Sequence, residues 1–223
     1  MNLVIFNGSP RNKKSNSKII IEQFLLGYQE HTNISVPVYY LASTRDREQY
    51  LKAFSEAETC LMIFPLYTDS MPGIVKAFFE SIYLSSDPRP QQLGFILQSG
   101  FPESVHSVCL ERYLRKFTHR IGCEYIGTVI KGGVEGIQIM PRSMTRNLFR
   151  NFRALGKYYA ETGAFSPKIM ENFAKPFKMS KIKQFMFQIL PSRFINFYWD
   201  SNLKKNHARK KRFDRPYEII END

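Results

Sequence analysis

The sequence lacks the two glycine-rich motifs that hold larger nucleotides. It contains neither G-x-x-x-x-G-K-[ST], which cradles a nucleoside triphosphate, nor G-x-G-x-x-G, which accepts the pyrophosphate of a dinucleotide. It also lacks a long apolar leader, because the first apolar run, Leu3–Phe6, spans four residues and ends in a glycine loop. We therefore expect no secretory signal peptide.

Cysteine is scarce and scattered, which excludes a disulfide framework and the common zinc motifs. The three cysteines show no C-x-x-C spacing, and the four histidines show no metal-ligand pattern: Cys60, Cys109, Cys123, His31, His106, His119 and His207. A reduced, cytoplasmic protein without a bound metal is the simplest interpretation.

Acidic side chains are in deficit, with 20 against 32 lysines and arginines, and the formal net charge is +12. Most of the excess lies in the last quarter of the chain, where Lys204–Arg215 is a dense basic run. This run is typical of a solvated tail, of attraction to nucleic acid or membrane phosphate, or of help in holding the 2′-phosphate of NADPH. No nucleic-acid-binding fold is evident, so we predict no specific nucleic-acid partner.

What is present begins with a strand, a loop and a helix. The apolar run Leu3–Phe6 stops at Asn7–Arg11, and Ser15–Ser17 opens a segment of helical periodicity. Gly8 is expected to let the backbone turn sharply. Hydroxyl, amide and guanidinium groups then converge with the free N–H groups of a helix start, which predicts an anion site. The candidate ligands are Ser9, Arg11, Ser15, Asn16 and Ser17; the alternative is a capped helix with surface serines.

The same alternation repeats along the chain. Strands are predicted at 3–6, 33–41, 59–64, 93–98 and 124–131, and helices at 15–29, 46–57, 74–84, 103–120 and 143–162. In the fourth helix we expect Val105, Val108, Cys109, Tyr113, Leu114 and Phe117 on the inner side. Five such units predict an α/β fold with a doubly wound parallel sheet.

Three further loops follow predicted strands. The second loop offers an apolar edge and polar contacts to a flat ring, through Pro65, Leu66, Tyr67, Thr68 and Asp69. The third and fourth loops are less specific and contribute the candidates Ser99, Gly100, Phe101, Gly132 and Gly133. Each of these loops is open to a second interpretation, an ordinary turn between strand and helix with no ligand.

Two of these loops carry a resemblance. Gly-Ser-Pro-Arg followed by Ser-Asn-Ser, and Pro-Leu-Tyr followed by Met-Pro-Gly-Ile-Val-Lys, resemble the flavin loops of the NADPH-dependent FMN reductase family. The resemblance covers residues 1–163 and implies the flavodoxin-like strand order 2-1-3-4-5 around an FMN-binding domain. It implies non-covalent FMN reduced by NADPH or NADH, a flavin, quinone, nitro, azo or metal-complex acceptor, no catalytic side chain, and a homodimer. The third loop would then donate backbone N–H groups to the ring, and the fourth would close over its far edge.

Related iron–sulfur flavoproteins carry a cysteine cluster that the stretch 41–57 lacks, so an iron–sulfur centre is not expected. Residues 164–223 form a helical, basic C-terminal extension outside the resemblance. It is too short and too charged to span a bilayer, and three roles stay open: packing on this domain or on a dimer partner, docking on an anionic membrane surface, or holding another protein.

Three functions stay open at this stage. The first is an FMN-dependent NAD(P)H oxidoreductase, the second a flavodoxin-type electron carrier, and the third a flavin-free scaffold or regulatory module. Such carriers are typically acidic and end near the fifth helix. The basic, extended chain therefore favours the enzyme.

Overall fold

One parallel sheet of five strands, in the order β2-β1-β3-β4-β5, organises the first part of the chain. A computed structural model of the chain describes residues 2–85, 87–175, 185, 189 and 196–215. The strands are β1 (Leu3–Asn7), β2 (Val38–Tyr40), β3 (Thr59–Pro65), β4 (Gln92–Gln98) and β5 (Glu124–Lys131). The helices are α1 (Asn16–Gln29), α2 (Arg47–Ser55), α3 (Gly73–Leu84), α4 (Val108–Arg120), α5 (Arg142–Thr162), α6 (Pro167–Ala174) and α7 (Phe197–Lys205). The predicted fold class and strand order are confirmed.

The sheet has a buried core on each face. Alternate residues of β1 serve the two faces: Val4 and Phe6 join a cluster with α2, α3 and α4, and Leu3 and Ile5 join one with α1, α5 and α6. Edge strand β2 is shorter than predicted, and Pro37 just before it only accepts a hydrogen bond, from Ile5 N. A proline at an edge leaves no ladder hydrogen bond broken.

Helices α1 and α5 cross without a side-chain spacer. A Cβ at Gly27 would lie 1.8 Å from the carbonyl oxygen of Arg153, and a Cβ at Gly156 would lie 1.9 Å from that of Phe24. Both obstacles are backbone atoms, so only glycine permits this approach. The contact holds the C-terminal half of α1 against α5.

The inner face of α4 differs from the predicted one. A 3₁₀ helix at Ser104–Ser107 precedes α4, and the buried positions are Leu110, Leu114, Phe117 and Thr118. Three predicted inner residues are exposed: Val105, Cys109 and Tyr113. The 3₁₀ turn changes the phase before Val108, which accounts for Val105. Cys109 and Tyr113 lie within α4 but outside its buried row of Leu110, Leu114 and Phe117.

The first compact unit extends to Phe177, and a second comprises Lys178–Asp223. Helix α6 belongs to the first unit, because Phe165 and Phe173 are buried and the Phe173 ring lies 4.6 Å from that of Phe152. The division between an FMN-binding domain at 1–163 and an extension at 164–223 stays a prediction.

In the second unit, Arg212 Nη1 lies 3.5 Å from Asp200 Oδ1 and the guanidinium stacks on Phe213. Of the predicted helical extension at 164–223, residues 176–184, 186–188, 190–195 and 216–223 lie outside the described residues. Within the described ranges, no helix has both the length and the apolar character needed to cross a bilayer.

Candidate functional site

A small cleft lies at the carboxyl ends of β1, β3 and β4, where the winding of the sheet changes direction. In doubly wound sheets this is the place where ligands bind. The cleft encloses about 30 Å³, and its walls come from all four loops: Ser9, Arg11, Asn16, Pro65, Leu66, Tyr67, Gln98, Ser99, Gly100 and Glu135.

The first loop is built on Asn7, a buried residue that sequence reasoning did not select. Its Nδ2 donates to Ser15 Oγ at 3.1 Å, and its Oδ1 accepts from Ser9 N at 2.9 Å. Ser15 in turn caps α1 by accepting from Lys18 N. One amide side chain therefore holds both ends of the loop, and the signal for it was its position as the last residue of a buried strand.

Ser17 is fully buried in the first turn of α1, and its hydroxyl has no hydrogen-bond partner. Asn12 Oδ1 is also buried and unpartnered, at a residue with φ +54°. Unpartnered buried polar atoms are costly in a folded protein. Their concentration beside a helix N-terminus indicates a place where an external group completes the hydrogen bonding.

Gly8 is needed for a reason other than the predicted one. A Cβ there would lie 2.4 Å from Val75 Cγ2 and 3.0 Å from Phe64 Cβ. Gly8 is not among the residues with positive φ. The glycine therefore lets the first loop pack closely against α3 and β3, and a left-handed turn is not required.

The second loop is a tight reversal. Tyr67 N donates to Ser70 O and Ser70 N donates to Tyr67 O, while Thr68 and Asp69 have φ of +49° and +58°. Positive φ at both central positions defines a type I′ turn, which normally uses Asn and Gly. Asp69 Oδ1 lies 3.3 Å from His106 Nδ1, which ties this turn to the segment after the third loop. The turn leaves the Tyr67 ring 42% exposed at the cleft.

The third and fourth loops bind one another. Gly133 N donates to Phe101 O at 2.8 Å, and Val134 N donates to Ser99 O at 3.0 Å. A Cβ at Gly132 would lie 2.4 Å from Phe101 O, so glycine is required for this contact. Gly132 and Gly133 thus set the fourth loop against the third.

The fourth loop also closes over the first. Arg11 Nη1 lies 3.2 Å from Glu135 Oε1, Asn16 Nδ2 donates to Val134 O at 3.0 Å, and Gln138 Nε2 donates to Asn16 Oδ1 at 2.7 Å. We call these three contacts the latch.

Burial lowers the pKa of Lys131 at the end of β5, and its Nζ donates to Gly132 O.

The structure brings most predicted site residues to the cleft wall and places the others around it. Ser9, Arg11, Asn16, Pro65, Leu66, Tyr67, Ser99 and Gly100 line it. Ser15 and Ser17 lie in the cap and first turn of α1, Thr68 and Asp69 form the reversal, and Phe101, Gly132 and Gly133 join the third and fourth loops. Gln98 and Glu135 also line the cleft and were not predicted, although both stand next to predicted residues.

A family model described as a flavodoxin-like fold matches residues 1–86. The fold is flavodoxin-like. No curated protein matches the sequence.

Several solved structures share the flavodoxin-like architecture at low identity. An FMN-dependent NADH-azoreductase from Bacillus anthracis str. Ames Ancestor, solved with FMN, is 15% identical, with a TM-score of 0.53, over 71% of this chain and 99% of its own. An NAD(P)H:quinone oxidoreductase from Methanothermobacter marburgensis is 15% identical, with a TM-score of 0.56, over 70% and 94%. An NADPH-quinone reductase from P. pentosaceus is 16% identical, with a TM-score of 0.51, over 72% and 98%. At these identities, the likeness establishes the flavodoxin-like fold alone.

The cleft offers donors and an aromatic surface. Within the described ranges, no group of three or more His, Cys, Asp or Glu side chains comes together in a way that could hold a metal ion.

Proposed function

We propose that the protein is an FMN-dependent NAD(P)H oxidoreductase that passes electrons to a small acceptor such as a quinone or an azo compound. The observation that carries the proposal is the convergence of a hydroxyl-rich helix start with an exposed aromatic turn at the sheet's switch point. The names of the similar solved structures, an azoreductase and two quinone reductases, support it.

The donor set fits a phosphate monoester. The unpartnered Ser17 hydroxyl, the Ser9 hydroxyl and the N-terminus of α1 supply neutral donors, and Arg11 supplies one cationic group. Charge-assisted hydrogen bonds from arginine and helix N–H groups are the usual means of holding phosphate. We assign these residues, with Ser15 and Asn16 supporting the loop, to the phosphate of FMN.

The second and third loops fit the isoalloxazine ring. Pro65 and Leu66 form a buried, apolar turn whose backbone is fixed by the hydrogen bond from Leu66 N to Gln98 O at 2.8 Å. Tyr67 and Phe101 expose aromatic surface at the rim. A rigid apolar wall orients a planar ring, and backbone groups at Ser99 and Gly100 contact its polar edge.

FMN, when bound, supplies the transfer of two electrons from a reduced nicotinamide to an acceptor, since the ring itself takes up and releases them. The chain's own residues bind and orient. They would hold the ring against the wall of the second loop so that a second flat molecule could meet it, and positioning would account for the rate. A nucleophilic side chain is not needed.

A titration series tests the proposal. The purified protein should bind FMN, shown by quenching of flavin fluorescence, and anaerobic NADH or NADPH should bleach the bound flavin, with colour restored by a quinone or an azo dye. A protein that ignores FMN refutes the proposal. FMN binding without reduction by either nicotinamide indicates an electron carrier instead.

Two finer points belong to the same proposal. A homodimer is tested by light scattering across a concentration series. A cytoplasmic location is supported by three free cysteines, Cys60, Cys109 and Cys123, which suit a reducing compartment. Fractionation of the source cells tests that location.

A further inference from the structure

Helix α5 carries a straight row of positive charge that the cofactor cleft does not use. The row consists of Arg142, Arg146, Arg150, Arg153 and Lys157, all exposed, and we call it the α5 stripe. The intervals are four, four, three and four residues. At 3.6 residues per turn they place the five side chains within an arc of about 80° over a length of about 22 Å.

The stripe is not neutralised by its surroundings. Within the described part of the chain, none of its members forms an ion pair, and the polar partners of Arg150 and Arg153 are the uncharged side chains of Asn147 and Gln23. The single acidic residue of α5, Glu161, lies 3.8 Å from His31. Five uncompensated positive charges on one helix face repel one another, so this face is suited to an extended anionic partner.

A shallow groove runs along the stripe between α1 and α5. It has a volume of about 520 Å³ and is lined by the first four arginines of the stripe, together with Gln23 and the half-buried Phe149. Several phosphate groups fit along such a groove at the spacing of successive helical turns. Phe149 is half-buried, so the groove offers no fully exposed aromatic ring on which nucleic-acid bases could stack.

Exposed apolar residues accompany the basic ones. Ile139 and Met140, 68% and 37% exposed, lie in the turn that leads into Arg142 and the start of α5. Basic residues combined with exposed apolar side chains are typical of proteins that lie on a membrane surface.

We propose that the α5 stripe docks the protein on an anionic lipid bilayer through electrostatic contact with phosphate headgroups. A straight, one-sided row of arginines matches a flat surface of negative charge. Each basic residue close to such a surface adds a several-fold preference for the bound state, and the preference declines with salt. This inference does not depend on the identity of the cofactor.

Vesicle sedimentation tests the proposal with the full chain. We expect binding to vesicles of phosphatidylcholine mixed with phosphatidylglycerol, no binding to phosphatidylcholine alone, and release at high salt. The triple variant R146Q/R150Q/R153Q should lose at least about thirtyfold in partition coefficient. Its thermal melting curve should match that of the original protein.

The matched control is R112Q/K116Q/R120Q, which removes the same charge at helical spacing from exposed positions of α4. It should bind within about threefold of the original protein, because its positions lie outside the proposed surface. Equal losses in both triple variants would overturn the assignment to α5. Absence of binding to anionic vesicles would also overturn the proposal. A third contrary result would be binding of single-stranded RNA or duplex DNA, measured by anisotropy, that the α5 variant loses while its vesicle binding is unchanged.

Discussion

Because Glu135 pairs with Arg11 in the latch, we predict that removing the negative charge of Glu135 tightens FMN binding. The Glu135 carboxylate lies 3.2 Å from the guanidinium of Arg11, the one cation among the proposed phosphate ligands. The carboxylate occupies Nη1 of Arg11, so Glu135 and a phosphate in the cleft compete for the same guanidinium. A closed latch therefore lowers the apparent affinity by the fraction of molecules in which it is open.

The expected change in affinity follows from the solvent exposure of the two side chains. The Arg11 and Glu135 side chains are 54% and 50% exposed, and ion pairs of that kind contribute about 0–1 kcal/mol after screening. Glu135→Gln keeps the shape and removes the competition as well as the repulsion between carboxylate and phosphate. We expect the Kd for FMN to fall about three- to fivefold. Fluorescence titration of FMN at low salt measures it, and high salt should diminish the gain.

Two controls separate this reasoning from its alternatives. Glu103→Gln makes the same change of charge at an exposed carboxylate outside the cleft lining, and it should leave the Kd within about 1.5-fold. Riboflavin lacks the phosphate, so its affinity should gain less than that of FMN in Glu135→Gln. A weaker FMN affinity in Glu135→Gln, or an equal gain for riboflavin, would refute the competition between Glu135 and phosphate.

Three other substitutions or truncations have defined outcomes. Gly27→Ala should lower the free energy of unfolding in urea by about 1–3 kcal/mol, because the added Cβ meets backbone atoms of α5. Gly73→Ala is the control, since its Cβ would have nothing within 4 Å, and equal stability of the two variants would contradict the close helix crossing. Thr68→Asn should stabilise the protein by about 1 kcal/mol, because a β-branched residue at φ +49° is strained, and an unchanged or lower urea midpoint would argue against that strain. A chain ending at 163 should melt well below one ending at 177, since only the longer one keeps the burial of Phe165 and Phe173; coincident melting curves would show that α6 adds no stability.

The fold could be predicted from the hydrophobic pattern that repeats along the chain. Five apolar runs alternating with amphipathic segments determine a parallel sheet, and the structure places β5 at the predicted bounds and α1 within one residue of them. The buried face of α4 was harder to predict, because hydrophobic spacing does not distinguish a 3₁₀ turn from an α-helical one. The 3₁₀ turn changes the direction of residues such as Val105. Local patterns cannot resolve such a shift of register.

The candidate site also contains residues that the local sequence predicts and residues that it does not. Residues in the first two loops were found because glycine, proline and hydroxyl side chains after a strand have local causes. Gln98 and Glu135 act through the geometry of the cleft and through distant partners, as when Arg11 meets Glu135. Asn7 acts through its neighbours Ser9 and Ser15, and it was missed because only the folded loop brings Ser15 to its side chain. The role of Gly8 depends on Val75, a contact across two elements that composition does not encode.

The glycine crossing of α1 and α5 has a mechanical consequence. Side chains between helices normally act as a compliant layer that absorbs small displacements, and here backbone meets backbone at Gly27 and Gly156. The two helices are therefore expected to move together at this crossing. A displacement of α5 carries the C-terminal end of α1 with it, and Ser17 lies at the opposite end of that helix.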